Sequence, residues 1–208
     1  MRRSRTTRVS HVILTRGVVS KGRYRCTHGL KRIAAVAAIC AAVAPTQSAA
    51  AASAITQADL QAATRSLGFL DSLQNRATIT IAVVYGASVR DGKNSAAQTA
   101  GMLETMRGPG SSTIRANIVP VEEVAQNTQQ YDALYLMPGV APNGGAIAEY
   151  VRRQHVVSIS SDPACLNANC CVLMVQAGSG VSIVLDTGLA NAVGAHFSSV
   201  FTMMVKRK

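Results

Sequence analysis

Four largely apolar runs, three of them rich in β-branched residues, separated by segments of helical composition, constrain this 208-residue chain more than any other feature. They are ATITIAVVYG over 77–86, STIRANIVPV over 112–121, YDALYLMPG over 131–139 and HVVSISSD over 155–162, and each reads as a strand. Between them SAAQTAGMLETMRG over 95–108, VEEVAQN and GGAIAEYVRRQ read as helices, the first stopped by Gly108-Pro109-Gly110. A further helix is expected over Thr56–Leu73: Thr56 is placed to cap it, Asp59 suits the first turn, and Leu60, Ala63, Leu67 and Leu70 recur at helical spacing. Strands alternating with helices at this spacing favour a parallel sheet with helices on both faces. A strand as continuously apolar as IAVVY suits burial on both sides. Past the cysteines the pattern changes. VLMVQ and VSIVLD, joined by a glycine-rich turn, read as a β-hairpin; TGLANAVGAH reads as a short helix, and FSSVFTMMVKRK as a helix or an edge strand. The expectation is one α/β domain over 54–208, a mostly parallel sheet flanked by helices with a carboxyl-terminal β-hairpin.

The formal net charge of +11 suggests a nucleic-acid binder until its distribution is considered. Ten of the 21 basic residues lie in the first 32, and no acidic residue precedes Asp59. Behind this basic stretch come the apolar run IAAVAAICAAVA and the small-residue stretch PTQSAAAASA. Basic region, short apolar region and small-residue cleavage zone together read as a secretory signal peptide over residues 1–50, cleaved on export. The apolar run is also shorter than the roughly 20 residues that span a bilayer. Cys40 lies inside that run with Ile39 before it, where a lipidated cysteine would follow a small residue. The long basic region is what a start codon assigned upstream of a true one near Val18 or Val19 would produce. Without residues 1–50 the chain carries 11 basic against 10 acidic side chains, so no electrostatic footprint for nucleic acid remains. The expected product is periplasmic, is not inserted in the membrane, and lies in an oxidising space where paired cysteines form disulfides.

The loop GASVRDGKNS over 86–95 follows a strand and opens a helix, as a phosphate-binding loop does. Its spacing is wrong for one: Gly86 and Gly92 enclose five residues where the motif has four, and Asn94 stands where a magnesium-binding Ser or Thr belongs. An exported protein also meets little ATP, so a glycine-eased strand-to-helix turn is the better reading. In open α/β sheets ligands bind outside the carboxyl ends of the strands. The candidate crevice is therefore formed by the turns at Gly86 and Ser88, at Pro138 and Gly139, and at Ser161 and Asp162.

His155 and His196 do not complete a zinc pattern with the cysteines, which show no paired ligands at short spacing. No G-x-S-x-G elbow or H-E-x-x-H motif occurs, and a catalytic thiol would need a base and an orienting group that the spacing does not pick out. A non-enzymatic protein without metal or cofactor is expected. In CLNANCC, over 165–171, a bond between the neighbours Cys170 and Cys171 would close a strained ring, so the partner of Cys165 is one or the other of them. The thiol left over is either buried and inert or free to join two chains as a homodimer.

The order of elements from VVSISSDPAC through the cysteine loop, VLMVQAGSGVSIVLD, TGLANAVGAHF and FTMMVKRK resembles the YfiR-like family of exported bacterial proteins. The earlier LGFL helix and IAVVYG strand also fit, so the likeness covers most of residues 56–205. The order and spacing of the elements carry it; no single motif is diagnostic. The family's Cys-x5-Cys spacing implies a disulfide between Cys165 and Cys171, with Cys170 the extra thiol. The chain departs from the family pattern at Asp186, where Asn is common, and at Lys206, Arg207 and Lys208, where an acidic residue is common. The resemblance implies a regulatory binding module whose partner is the periplasmic sensor domain of a membrane-bound diguanylate cyclase. The alternative is a solute-binding or transport-accessory protein that uses the crevice at the strand ends.

Overall fold

Strand β1 (Thr78–Tyr85) is the axis of the fold in the computed structural model, which describes residues 54–208. It pairs in parallel with β2 (Thr113–Pro120) on one side and β3 (Ala133–Leu136) on the other. Its side chains are buried from Ile81 onward because helices cover both faces, which is why the run tolerates no polar alternation. The sheet continues through β4 (Val157–Ser160), β5 (Leu173–Ala177), β6 (Val181–Leu185) and β7 (Lys206–Arg207), in the order β2-β1-β3-β4-β5-β6-β7. Five strands run parallel, and β5 and β6 form the expected antiparallel hairpin. The protein is thus α/β with a mostly parallel seven-stranded sheet. The signal peptide expected over 1–50, with Cys26 and Cys40, lies outside the described residues.

On one face, Ala63 and Leu67 of α1 (Gln57–Leu67) and Leu103 of α2 (Gly92–Glu104) meet Ile81, Tyr135 and Ile159. On the other, Val124 of α3 (Val121–Val124) and Tyr150 of α4 (Gly144–Gln154) meet Ala82, Val84 and Leu134. Helix α1 begins as the sequence implied. Thr56 Oγ1 accepts the Asp59 N–H at 3.1 Å and Asp59 accepts the Thr56 N–H at 2.9 Å, a reciprocal cap that stabilises by about 1 kcal/mol. It ends six residues before the expected Leu73, because Phe69 and Asp71 leave the helix to hydrogen-bond the segment around His196 and Ser198.

Three other expectations shift. Helix α2 starts at Gly92 rather than 95, so the glycine loop is shorter than it looked. His155 is not the first residue of β4; it closes α4 in a left-handed conformation with φ of 53°. The final segment is both of the forms weighed for it. Helix α7 (Ser199–Met204) precedes β7, which adds the edge strand beside β6. Phe201 of α7 is buried and stacks on Phe69 and Phe197 with ring centroids 4.9 and 5.2 Å away. Two such aromatic pairs add about 0.5–1.5 kcal/mol each beyond burial, so they fix the helix to the domain.

Candidate functional site

Chain connections leave β1 in opposite directions, to β2 on one side and onward to β3 on the other, so the carboxyl ends of β1 and β3 are the topological switch point. A cavity of about 340 Å³ opens there. Tyr85, Val89, Met102, Met137 and Pro138 supply its apolar walls, Ile55 closes it from the segment before α1, and Arg90, Ser95, Gln98 and Thr99 supply its polar side. Of the expected crevice residues, Gly86 and Pro138 line this space. Ser88 is exposed on the loop and does not line it.

The loop between β1 and α2 is folded on itself. The Val89 N–H donates to the Gly86 carbonyl at 3.1 Å and the Gly92 N–H to the Val89 carbonyl at 2.9 Å. These donors serve the turn rather than a phosphate, which agrees with the strand-to-helix reading. Gly92 is required because a Cβ there would stand 2.7 Å from the Gly86 carbonyl oxygen. Gly139, at φ of +87°, occupies backbone space that L side chains avoid and lets Val89 sit against the turn after β3.

Ser161 and Asp162, expected in the crevice, do not line the cavity; they tie neighbouring loops together. Asp162 accepts the Gly139 N–H at 3.3 Å and the Ala164 N–H at 2.9 Å, so one carboxylate joins the turn after β3 to the turn after β4. The Tyr135 hydroxyl reaches Ser161 Oγ at 3.4 Å. Burial pushes the Tyr135 phenol up to about 12; the Ser161 hydrogen bond opposes this and the Asp59 carboxylate adds to it. Asp59 in turn accepts the Ala177 N–H at 2.7 Å, fastening the start of α1 to the β5–β6 hairpin. That long-range contact is invisible in a capping pattern read locally.

The cysteine loop forms a second, tighter corner. Cys165 sits on α5 (Ala164–Asn167), a short helix the sequence did not announce, and is joined to Cys171 in a disulfide. Both are buried, and so is Cys170, whose thiol donates to the Cys165 carbonyl at 3.4 Å. Burial pushes that thiol up to about 11, against the lowering effect of its hydrogen bond to backbone. Cys170 is thus a free thiol enclosed by packing, the kind of site at which a thiol is inert. Ser158 reinforces the corner by donating to the Cys170 carbonyl at 2.8 Å and accepting the Val172 N–H at 3.2 Å.

Asp186 and Lys208, two of the positions that depart from the YfiR-like pattern, meet at this corner. Lys208 Nζ lies 3.2 Å from Asp186 Oδ2, donates to Asn169 Oδ1 at 2.8 Å and also reaches the Leu166 carbonyl. Asp186 holds α6 (Thr187–Val193) as well, accepting the Leu189 N–H at 2.8 Å. The basic tail thus clamps the disulfide loop to the hairpin. Lys206 and Arg207 remain exposed. Beside them α7 turns Val200, Met203 and Met204 outward, with relative exposures of 56, 74 and 64%. Large apolar side chains exposed side by side mark a contact surface more often than scattered ones do.

His155 Nδ1 lies 3.3 Å from the Val193 carbonyl, and the backbone of His196 pairs with Asp71. Among the described residues, no three His, Cys, Asp or Glu side chains converge as metal ligands would. Nor, among those residues, is any helix long and apolar enough to cross a membrane.

No family model and no curated protein matches the chain. Solved structures do. The chain is 12% identical to an ABC domain from Streptococcus pneumoniae determined in complex with L-Trp, at a TM-score of 0.50 over 73% of this chain. It is 10% identical to a conserved domain protein from Vibrio cholerae, at a TM-score of 0.55 over 73% of this chain. It spans 60% of the length of each. Likeness at this identity establishes a shared α/β fold.

Proposed function

We propose that the protein is an exported, non-enzymatic regulatory module of the YfiR-like kind. In this reading it acts in the periplasm by binding the sensor domain of a membrane-bound diguanylate cyclase and holding it inactive. The observation that carries the reading is the outward-facing Val200, Met203 and Met204 on a helix that Phe201 anchors to the core. Exposed methionines on an anchored helix suit a protein surface, since the flexible thioether adapts to a partner's shape. The buried Cys165–Cys171 bond fits an oxidising compartment, which sustains such bonds. Deleting the gene should raise cellular cyclic-di-GMP. Complementing with the wild type should restore the low level, and complementing with Met203→Asp/Met204→Asp should not. Unchanged cyclic-di-GMP on deletion would count against the regulatory reading.

One observation favours a second reading, solute binding: the cavity at the switch point, where open α/β sheets take their ligands. The fold shared with a domain crystallised with L-Trp is in keeping with it.

A further inference from the structure

The switch-point cavity is selective in charge as well as in shape. Among the residues that line it, Arg90 is the only ionised side chain, and no aspartate or glutamate is present. Asp91 lies outside it, lining the adjoining outer depression; its carboxylate stands 4.0 Å from Arg90 Nε, and both side chains are largely exposed, at 98% for Arg90 and 72% for Asp91. The polar groups that remain, on Ser95, Gln98 and Thr99, are neutral. Ser95 and Gln98 also lie in the first two turns of α2, a 13-residue helix whose positive end adds to the field of Arg90. The lining itself therefore favours an anion, and an ammonium group would find no counter-charge among the lining residues, the adjacent Asp91 being paired with Arg90.

The apolar walls specify the rest of the ligand. The ring of Tyr85 and the thioethers of Met102 and Met137 stand around the cavity, and sulfur set against an aromatic ring is a favourable contact. Val89 and Pro138 add rigid apolar surface. At about 340 Å³ the space lies at the small end of ligand pockets. That suits a ring with a short side chain rather than a nucleotide.

We propose that this cavity binds an aromatic monocarboxylate that lacks an amino group, with the ring among Tyr85, Met102 and Met137 and the carboxylate toward Arg90. The inference rests on the solute-binding reading and sharpens it; it is independent of the regulatory one.

Three indole compounds that share the ring and a short side chain but carry different ionised groups test it by isothermal titration of the purified protein: indole-3-propionate, L-tryptophan and tryptamine. The anion should bind tightest, the zwitterion about tenfold more weakly, which is ~1.4 kcal/mol, and the cation not measurably. Arg90→Glu, at a side chain 98% exposed, should cost the anion at least about tenfold without lowering the melting temperature. Met102→Trp, which fills the space, should abolish binding, with the circular dichroism melt confirming the fold. If L-tryptophan binds as tightly as the propionate, a solute site survives but the anion preference is overturned. If none of the three binds at ~1 mM, a concentration at which even a weak site with ~4 kcal/mol of affinity is half filled, the proposed ligand class is overturned. A broad panel of other solutes that also fails would overturn the solute-binding reading itself. Binding that neither Arg90→Glu nor Met102→Trp disturbs would place the site elsewhere.

Discussion

The switch-point turn and the disulfide corner belong to one sheet but are held in different ways. At the switch point the β1–α2 loop is shaped by two backbone hydrogen bonds and by glycines, and it leaves a cavity open beside it. The corner is held by a covalent bond, a buried serine, and a lysine shared among Asp186, Asn169 and Leu166. Ligand binding needs room and some freedom to close, whereas a docking surface gains from being ordered before its partner arrives. The two proposed activities divide along the same line, solute binding at the first place and protein contact at the surface of α7.

The largest expected effect is alkaline. Burial raises Cys170 at the corner from 9.0 to about 11, and Tyr135 near the strand ends from 10.0 to about 12. Both groups keep their protons longer in the folded chain than in the unfolded one. Stability is therefore whole below pH 9 and falls as the pH rises through 9 to 11 for Cys170 and through 10 to 12 for Tyr135. Cys170→Ser should flatten the lower window and Tyr135→Phe the upper, as read from urea midpoints at each pH. Identical profiles for all three proteins would mean that neither group is buried as described.

Next in size is the disulfide. Removing it with Cys165→Ala/Cys171→Ala should cost about 2 kcal/mol in the chain-entropy account of so short a loop, visible as a lower melting temperature. Ligand affinity at the switch point should be unaffected, since the two places share no covalent restraint. Asp162 joins them by hydrogen bonds alone. Asp162→Ala leaves the Gly139 and Ala164 N–H groups without their partner, at a cost of about 1 kcal/mol. It should speed hydrogen exchange at both amides, whereas loss at Ala164 alone would show that the link to the turn after β3 is unimportant.

Lys208→Met should cost somewhat less, about 0.5–1 kcal/mol, because the lysine is partly exposed while Asp186 keeps its bond to the Leu189 N–H. Its signature is faster exchange across 165–171. Smallest of all is Ser88→Ala. This exposed side chain lines no cavity, so the change should stay within about 0.5 kcal/mol.

Much of the sheet was legible because its central strands, β1, β3 and β4, are continuously apolar or small runs buried on two faces, and the glycine and proline signals mark where the runs stop. The two candidate regions were legible only in part. Gly86 and Pro138 follow from the topological rule, and Cys165 with Cys171 from the family spacing, but Val89, Met102 and Met137 reach the same cavity from three separate elements. A lone valine in the polar loop ASVRDG was the one local hint. The end of α1 was misplaced because Leu70 keeps the helical spacing while its backbone pairs with Phe197, a partner far along the chain. The same holds for Asp59, whose second bond goes to Ala177, and for Lys208, whose partners lie on the loop before β5 and at the start of α6. Charges and caps declare their near neighbours in sequence, but tertiary partners emerge only once the sheet has brought distant turns together.

The regulatory reading is tested most directly by titrating the purified protein against the periplasmic domain of each membrane-bound diguanylate cyclase in its own genome. The expected result is saturable binding to at least one of them. Met203→Asp/Met204→Asp should abolish it while the melting temperature holds, and Cys165→Ala/Cys171→Ala should weaken it. Binding to none of them, or binding that the methionine substitutions leave intact, would contradict it.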